Sequence, residues 1–338
     1  MPENYDSIYD AQDRFERSSK IKESNHYLFH IGLLLFTFCT TTIAGAEWIS
    51  GQSGPYEFSF LLKGLPYSIC ILFVIGTHEF GHYFASKLHK VKATLPYFLP
   101  CPSIGGFLNF GTFGAVIRTK SAIRTRNAMF DIGAAGPIAG FVACLIVLVY
   151  GFTHLPGREY ILAIHPDYFS PSYGKNGIDL KFGNTILFSF LKMVLVKPGS
   201  FVPPMSEVYH YPYLCVGWFG LFITSMNMLP VGQLDGGHIS YSMFGGNNHY
   251  KISVVTLIVV FILGLTGMIE ILLNLGFSFG WSGWLFWALI LFFVVKIRHP
   301  HIYDDEPIDI KRKILGWISF IIFILSFSPS PFIIALNG

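Results

Sequence analysis

The chain alternates between long apolar runs and short polar connections. Because about 20 consecutive apolar residues are enough to cross a bilayer as a helix, these runs predict membrane spans. The predicted spans lie at about residues 28–48, 65–88, 128–152, 214–229, 252–273, 281–297 and 314–336. We therefore expect an all-α polytopic membrane protein with about seven transmembrane helices.

Residues 93–118 do not fit this pattern. Three prolines and several glycines interrupt the segment and forbid a long helix, while the remaining residues are apolar and favour strands. Irregular backbone at membrane depth needs cover from protein or water. The segment therefore predicts a re-entrant β-hairpin-like loop over the second span, with an interfacial loop as the alternative.

Two polar stretches complete the organisation. Residues 1–27 have mixed charge and no apolar segment typical of a removable signal peptide, which indicates a solvated tail or surface helix. Residues 153–213 form the longest hydrophilic connection. Within it, one helical face is apolar and predicts an interfacial helix too short to cross, formed by Leu187, Phe188, Phe190, Leu191, Val194 and Leu195.

We divide the chain into four parts on this basis. They are a cytoplasmic tail at 1–27, a first transmembrane helix with its outer loop at 28–64, a core at 65–244, and three additional helices at 245–338.

Composition supports a membrane protein. The chain is 52% hydrophobic and only 13% charged, far from the charge content of an ordinary soluble domain. The net charge of +3 comes without a basic stripe, so no nucleic-acid partner is expected. The five cysteines are scattered and form no Cys-x-x-Cys pair, which indicates free thiols.

The basic residues predict an orientation. They are densest between the second and third predicted spans, at Lys87, Lys90, Lys92, Arg118, Lys120, Arg124 and Arg126. The positive-inside rule places this region in the cytoplasm, together with the N-terminus. We expect a multi-pass protein of the cytoplasmic membrane whose second-span site lies nearer the cytoplasmic face.

The second predicted span carries the strongest chemical signal, His78-Glu79-x-x-His82. On a helix the two histidines project from one face and can hold one zinc ion, with Glu79 placed to take a proton from water. The alternative is a helix that tolerates a few polar groups. Ionisable residues in a membrane segment are costly, which favours the metal interpretation.

A third ligand is predicted from the end of the fourth span. Pro230 and Gly232 break the helix, and Asp235 follows the break. A turn or capping aspartate is the alternative, since Asp-Gly is a common turn pair. His238 could be a spare ligand, although a helix-start or solvent-exposed histidine is favoured. We expect His249, His299, His301 and the histidines of residues 153–213 to be surface residues.

These motifs together resemble the site-2 protease family of intramembrane zinc metalloproteases. The resemblance rests on His78-Glu79-x-x-His82, Gly105-x-x-x-Asn109 with Gly111-Thr112-Phe113-Gly114, Ala135-Gly136-Pro137-x-Ala139-Gly140, and Asn227-x-x-Pro230 followed by Leu234-Asp235-Gly236-Gly237. The form is similar to a compact bacterial branch, related to a chloroplast branch, without a PDZ or CBS domain.

The resemblance implies a role for each motif residue. His78, His82 and Asp235 would ligate one zinc ion per chain, and Glu79 would be the catalytic base. Asn227 would position substrate or stabilise the developing oxyanion. Gly105 and Asn109 would contact the unwound substrate strand.

The expected function is cleavage of a peptide bond within or near the transmembrane segment of single-span membrane proteins in the lipid bilayer. One alternative is a non-proteolytic transporter or chaperone-like protein that uses the metal site for ions. Another is a zinc hydrolase acting on lipid or on prenylated protein. The sequence leaves the substrate and the oligomeric state open.

Overall fold

The computed structural model is mostly helical. It describes residues 5–102, 109–171, 173, 177–273, 275, 279–302, 304 and 306–337, with backbone only for 5–26, 177–179 and 335–337. The helices are α1 (Tyr5–Ser50), α2 (Phe58–Lys63), α3 (Leu65–Leu88), α4 (Arg126–Thr153), α5 (Arg158–Ile164), α6 (Ile186–Leu195), α7 (Pro212–Asn227), α8 (Asp235–Phe244), α9 (Gly246–Leu273), α10 (Gly283–Ile290) and α11 (Ile310–Ser326). A 3₁₀ turn covers Val208–His210, and a π-helical turn over Leu291–Val295 extends α10.

Four short strands pair in two antiparallel sheets. Strand β1 (Tyr97–Pro100) pairs with β2 (Thr112–Val116), and β3 (Gly177–Phe182) pairs with β4 (Phe332–Asn337). The first pair forms a hairpin in the segment where the sequence predicts one. Whether the hairpin is re-entrant in a membrane remains a prediction.

Helix α7 lies at the centre of the molecule. Trp218, Phe219 and Leu221 are fully buried on it, and they pack in one cluster with apolar residues of α3 and α4. Helices α3 and α4 approach closely, as the small residues of the Ala-Gly-Pro motif predict. A Cβ at Gly81 of α3 would lie 2.5 Å from the Ala135 carbonyl oxygen of α4.

Three described helices are long and apolar enough to cross a membrane, at Tyr27–Ser50, Arg126–Thr153 and Gly246–Leu273. The predicted spans at 65–88 and 214–229 correspond to α3 and α7. With 16 residues, α7 rises only about 24 Å. The total of about seven spans therefore remains a prediction.

The seventh predicted span, at 314–336, is wrong as a single helix. Helix α11 ends at Ser326, and the chain passes through Ser328-Pro329-Ser330-Pro331 into β4. Two prolines in four residues remove backbone donors and cannot continue a helix. Strand β4 then aligns with β3 from Phe182↔Phe332 to Gly177↔Asn337, a pairing that the sequence did not predict.

Two further predictions need adjustment. Helix α1 begins at Tyr5 and continues through the predicted tail into the first span without a break. Helix α6 forms as predicted, but its apolar residues divide between two faces. Leu187, Phe188 and Leu191 are buried, whereas Phe190 and Val194 are 53% and 58% exposed.

Candidate metal centre

The two histidines of the motif lie one turn apart on α3 and face the interior. Each is only 7% exposed, and their Nε2 atoms are 3.1 Å apart. This is the consequence of four-residue spacing on a helix, which stacks side chains on one face. The two imidazoles therefore offer their Nε2 atoms to the same point.

Asp235 reaches that point from α8. Its Oδ2 atom lies 3.3 Å from Nε2 of His78 and 3.4 Å from Nε2 of His82. The break predicted after α7 makes this approach possible: the chain turns over residues 228–234, with Gly232 at φ +52°, and α8 begins at Asp235. Two imidazole nitrogens and one carboxylate oxygen thus lie within 4.8 Å of one another.

Helix α4 provides the space for both imidazoles. A Cβ at Gly136 would lie 2.1 Å from Nε2 of His82, and a Cβ at Gly140 would lie 3.0 Å from Cβ of His78. Any larger residue at Gly136 would occupy the volume of the ring. The glycines of the Ala-Gly-Pro-x-Ala-Gly motif therefore form a cradle for the two histidines.

A backbone contact orients His82. Its Nδ1 atom lies 2.7 Å from the Ile132 carbonyl oxygen, to which a neutral ring donates its proton. The lone pair is then on Nε2, the atom that faces His78 and Asp235. Such a contact behind the ligand is typical of metal-binding histidines, so the donor set and its surroundings fit a zinc ion.

Glu79 adjoins the cluster on the same helix. It is 8% exposed, and the backbone of Ile117 supplies a hydrogen bond to its carboxylate. A cavity of about 630 Å³ contains Glu79 in its wall together with all three converging residues. Ala115, Val116 and Ile117, at the end of the hairpin, line the same cavity. A carboxylate, a metal-type donor set and a strand edge thus share one space.

The remaining predicted site residues have different surroundings. Asn227, the last residue of α7, lines the cavity and holds its Nδ2 atom 3.4 Å from Nε2 of His78. Asn109 instead shapes the hairpin connection: its Oδ1 accepts from the Gly111 N–H at 2.8 Å, and its carbonyl accepts from Trp48 at 2.7 Å. Gly105 lies outside the described residues.

Sequence reasoning missed a group of histidines next to the centre. Nδ1 of His238 lies 2.8 Å from Nε2 of His299, and both residues line the cavity. His249 is buried nearby and was wrongly expected at the surface. These three residues come from α8, α9 and the connection before α11, so no local spacing in the sequence links His299 to the other two.

Comparison with known proteins identifies the family. A family model described as Peptidase family M50 matches residues 66–269, more than half of the chain. No solved structure matches.

The curated relatives include plant proteins. The chain is 28% identical over 223 residues to the probable zinc metalloprotease EGY2, chloroplastic, of Oryza sativa subsp. indica, covering 66% of this chain and 34% of the relative. It is 26% identical over 277 residues to EGY2 of Arabidopsis thaliana, covering 82% and 44%. The chain thus spans less than half of the length of these relatives. From the extent of the family match, and as its motifs predicted, the chain belongs to peptidase family M50, the site-2 protease family.

Proposed function

We propose that this chain is a zinc-dependent metalloendopeptidase whose metal ligands are His78, His82 and Asp235. One observation carries the proposal. Two imidazoles of α3 and a carboxylate of α8 converge on one buried point, and Glu79 faces the same cavity. Membership of peptidase family M50 and the names of the EGY relatives, probable zinc metalloproteases, support it. We assign one zinc ion per chain to this site.

In the proposed reaction, the metal ligands, Glu79 and Asn227 have separate roles. Three protein ligands leave a fourth position open, which is the arrangement of catalytic zinc sites. A zinc ion bound there would acidify a water molecule and polarise the scissile carbonyl. Glu79 accepts the proton of the attacking water and returns it to the leaving amine. The Asn227 amide donates to the substrate oxygen as negative charge develops on it.

The test is the Glu79→Gln variant. It is isosteric, so we expect it to retain zinc and fold while cleavage falls by at least about 10²-fold, the effect of losing a general base. Asp235→Asn should lower the zinc content as well. The measurements are metal content and cleavage of a reconstituted single-span substrate. Retained proteolysis by purified Glu79→Gln protein overturns the assignment, and zinc binding without cleavage by the unaltered chain favours the transporter or chaperone-like alternative.

The proposed substrates are single-span membrane proteins, cut within or near the transmembrane segment. A helical substrate hides its peptide bonds in its own hydrogen bonds, so it must unwind before cleavage. No described strand other than β1 pairs with β2, and residues 115–117 lie in the cavity wall. An extended substrate can therefore add to this edge by main-chain hydrogen bonds. The substrate-binding roles that the family motifs imply for Gly105 and Asn109 belong to the same proposal.

Proline substitution tests the strand edge. Hydrogen bonds to β1 alternate along β2, so one of two adjacent residues, Ala115 and Val116, directs its N–H away from β1. Proline at that outward position should lower cleavage by about two- to tenfold, the effect of one hydrogen bond, while zinc content stays unchanged. Unaltered cleavage by both variants would contradict the proposed strand addition.

We further propose that the chain is embedded in the cytoplasmic membrane by about seven helices. Exposed apolar side chains on α9, including Val255, Ile258 and Ile262, support contact with lipid. The positive-inside rule puts Lys90 on the cytoplasmic side and Lys197 outside. In a cysteine-free background, a single cysteine at each position should react with impermeant reagent from opposite sides. Labelling of both from one side would refute this orientation.

A further inference from the structure

A second group of metal-type side chains lies away from the candidate metal centre. His165, Glu207 and His210 each offer one ligand atom, and these atoms lie within 4.8 Å of one another. The two Nε2 atoms of the histidines are 3.0 Å apart, and Nε2 of His210 is 3.5 Å from Oε2 of Glu207. These distances resemble those among His78, His82 and Asp235.

The three side chains come from two segments of the long connection between α4 and α7. His165 follows directly on α5, while Glu207 and His210 lie at the 3₁₀ turn just before α7. His210 is fully buried and Glu207 is 4% exposed. A carboxylate and imidazole this deeply buried need binding partners to offset their desolvation.

Backbone and side-chain contacts orient the group toward a common centre. Nδ1 of His210 lies 2.7 Å from the Ile49 carbonyl oxygen at the end of α1, to which a neutral ring donates. Its lone pair is then on Nε2, facing His165 and Glu207. The other oxygen of Glu207, Oε1, accepts from the hydroxyls of Tyr173 at 3.3 Å and Ser206 at 3.4 Å. The carboxylate is thus fixed with Oε2 toward His210.

The arrangement repeats that of the first centre. There, Nδ1 of His82 makes the same 2.7 Å contact with a backbone carbonyl, and its Nε2 faces another imidazole. A glycine again gives room: a Cβ at Gly51, where φ is +65°, would lie 3.0 Å from Cε1 of His210.

We propose that His165, Glu207 and His210 bind a second zinc ion, which fastens the connection between α4 and α7 to the end of α1. Two histidines and one glutamate are an established zinc donor set, and tetrahedral bonds of about 2.0–2.1 Å place ligand nitrogens roughly 3.3 Å apart. Water or another donor takes the fourth position. The competing explanation is a hydrogen bond between the two imidazoles without a metal.

The two centres occupy opposite ends of α7. His210 lies just before its first residue, whereas Asn227, its last residue, lies beside His78. Sixteen helical residues separate them by about 24 Å. The second ion is therefore too far away to take part in chemistry at Glu79, and its role is to hold the fold together.

Metal stoichiometry tests the proposal. The full chain, purified in detergent and dialysed against a weak chelator, should contain two zinc ions by elemental mass spectrometry. Glu207→Gln and His165→Ala should each retain only the ion at His78, His82 and Asp235. Asp235→Asn should retain only the ion at His165, Glu207 and His210. The double variant Asp235→Asn/Glu207→Gln should retain none. His154→Ala, which alters an exposed histidine of the same connection, serves as the control and should retain both.

The outcomes separate this site from the proposed function. One zinc ion per unaltered chain, lost in Asp235→Asn and kept in Glu207→Gln, overturns the second site and leaves the proposed protease intact. One ion lost only in Glu207→Gln supports the second site and removes the basis for zinc catalysis. The unaltered chain decides the stoichiometry even where a variant does not fold.

Discussion

The two imidazoles of α3 fit against α4 because Gly136 and Gly140 carry no side chain. A Cβ at Gly136 would overlap the ring of His82, and a Cβ at Gly140 would touch His78. Overpacking of a well-packed site costs about 1–3 kcal/mol. The position of the candidate metal donors thus depends on glycines that offer no ligand atom themselves.

We expect Gly136→Ala to lower both zinc content and thermal stability, because His82 must move to admit the methyl group. Gly32→Ala is a matched control on α1, where a Cβ would meet nothing within 4 Å. It should be neutral or stabilise the fold by up to about 1 kcal/mol through helix propensity. Equal zinc content in the two variants would contradict the role of Gly136 in making room for the His82 ring.

At this scale the sequence predicted the pair His78 and His82 well, since four-residue spacing on one helix fixes their relation. Asp235 could be proposed only from the helix break and the family resemblance, because the direction of the turn over 228–234 depends on tertiary packing. His299 and His210 escaped prediction, since each meets another histidine more than 40 residues away in the chain.

Helix α11 is tied to α4 by a bidentate ion pair. Nε and Nη2 of Arg312 donate to the two carboxylate oxygens of Asp131 at 2.8 and 2.6 Å. Nε2 of His89, just after α3, lies 2.8 Å from the same carboxylate. A planar guanidinium matches this geometry, whereas an ammonium does not. Asp131 therefore joins α4, α11 and the residue that follows α3.

Arg312→Lys should destabilise the chain by about 1.5–3 kcal/mol, the range for hydrogen bonds to charged groups, and lower the melting temperature in detergent. Lys313→Ala, which alters the exposed residue next to Arg312, should change the melting temperature little. In a double-mutant cycle, Asp131→Asn should add little to Arg312→Lys. Full additivity of the two changes would show that the pair contributes nothing.

Elements were predictable where one local pattern decides them. The bounds of α3 agree with the predicted span at 65–88, and prolines and glycines identified the hairpin. Helix α6 was found, but not which of its apolar residues are buried. That division depends on which neighbours cover the helix: Phe188 packs against Phe152 of α4, while Phe190 stays exposed.

The end of the described chain closes onto its centre. Phe332 of β4 is buried among aromatic rings, with centroids 5.3 Å from Trp218, 5.5 Å from Phe222 and 5.4 Å from Trp281. It connects α7, the β3–β4 sheet and the segment before α10. The C-terminal strand is thus part of the core of the molecule.

Phe332→Ala should destabilise the whole molecule by about 3–5 kcal/mol, the usual cost of removing a buried ring. Ile334→Ala, two residues along the same strand and 56% exposed, should cost much less. Thermal unfolding in detergent measures both. Similar melting temperatures for the two variants would exclude a core role for Phe332.

Global connectivity was the least predictable level. Strands β3 and β4 lie about 150 residues apart, and a run such as Phe332–Asn337 is apolar enough to pass for the end of a transmembrane helix. Periodicity cannot distinguish the two in so short a segment. Only the partner strand decides between them.

The burial of most of α7, twelve of its sixteen residues, bears on how the protein would respond to a surrounding bilayer. A helix that is largely covered by other helices is shielded from hydrophobic mismatch, so its tilt follows mainly from side-chain packing. Peripheral helices such as α9 would be free to tilt in thicker or thinner bilayers while α7 keeps its geometry. The position of Asn227, at the end of α7, relative to His78 would therefore be insulated from changes in lipid composition.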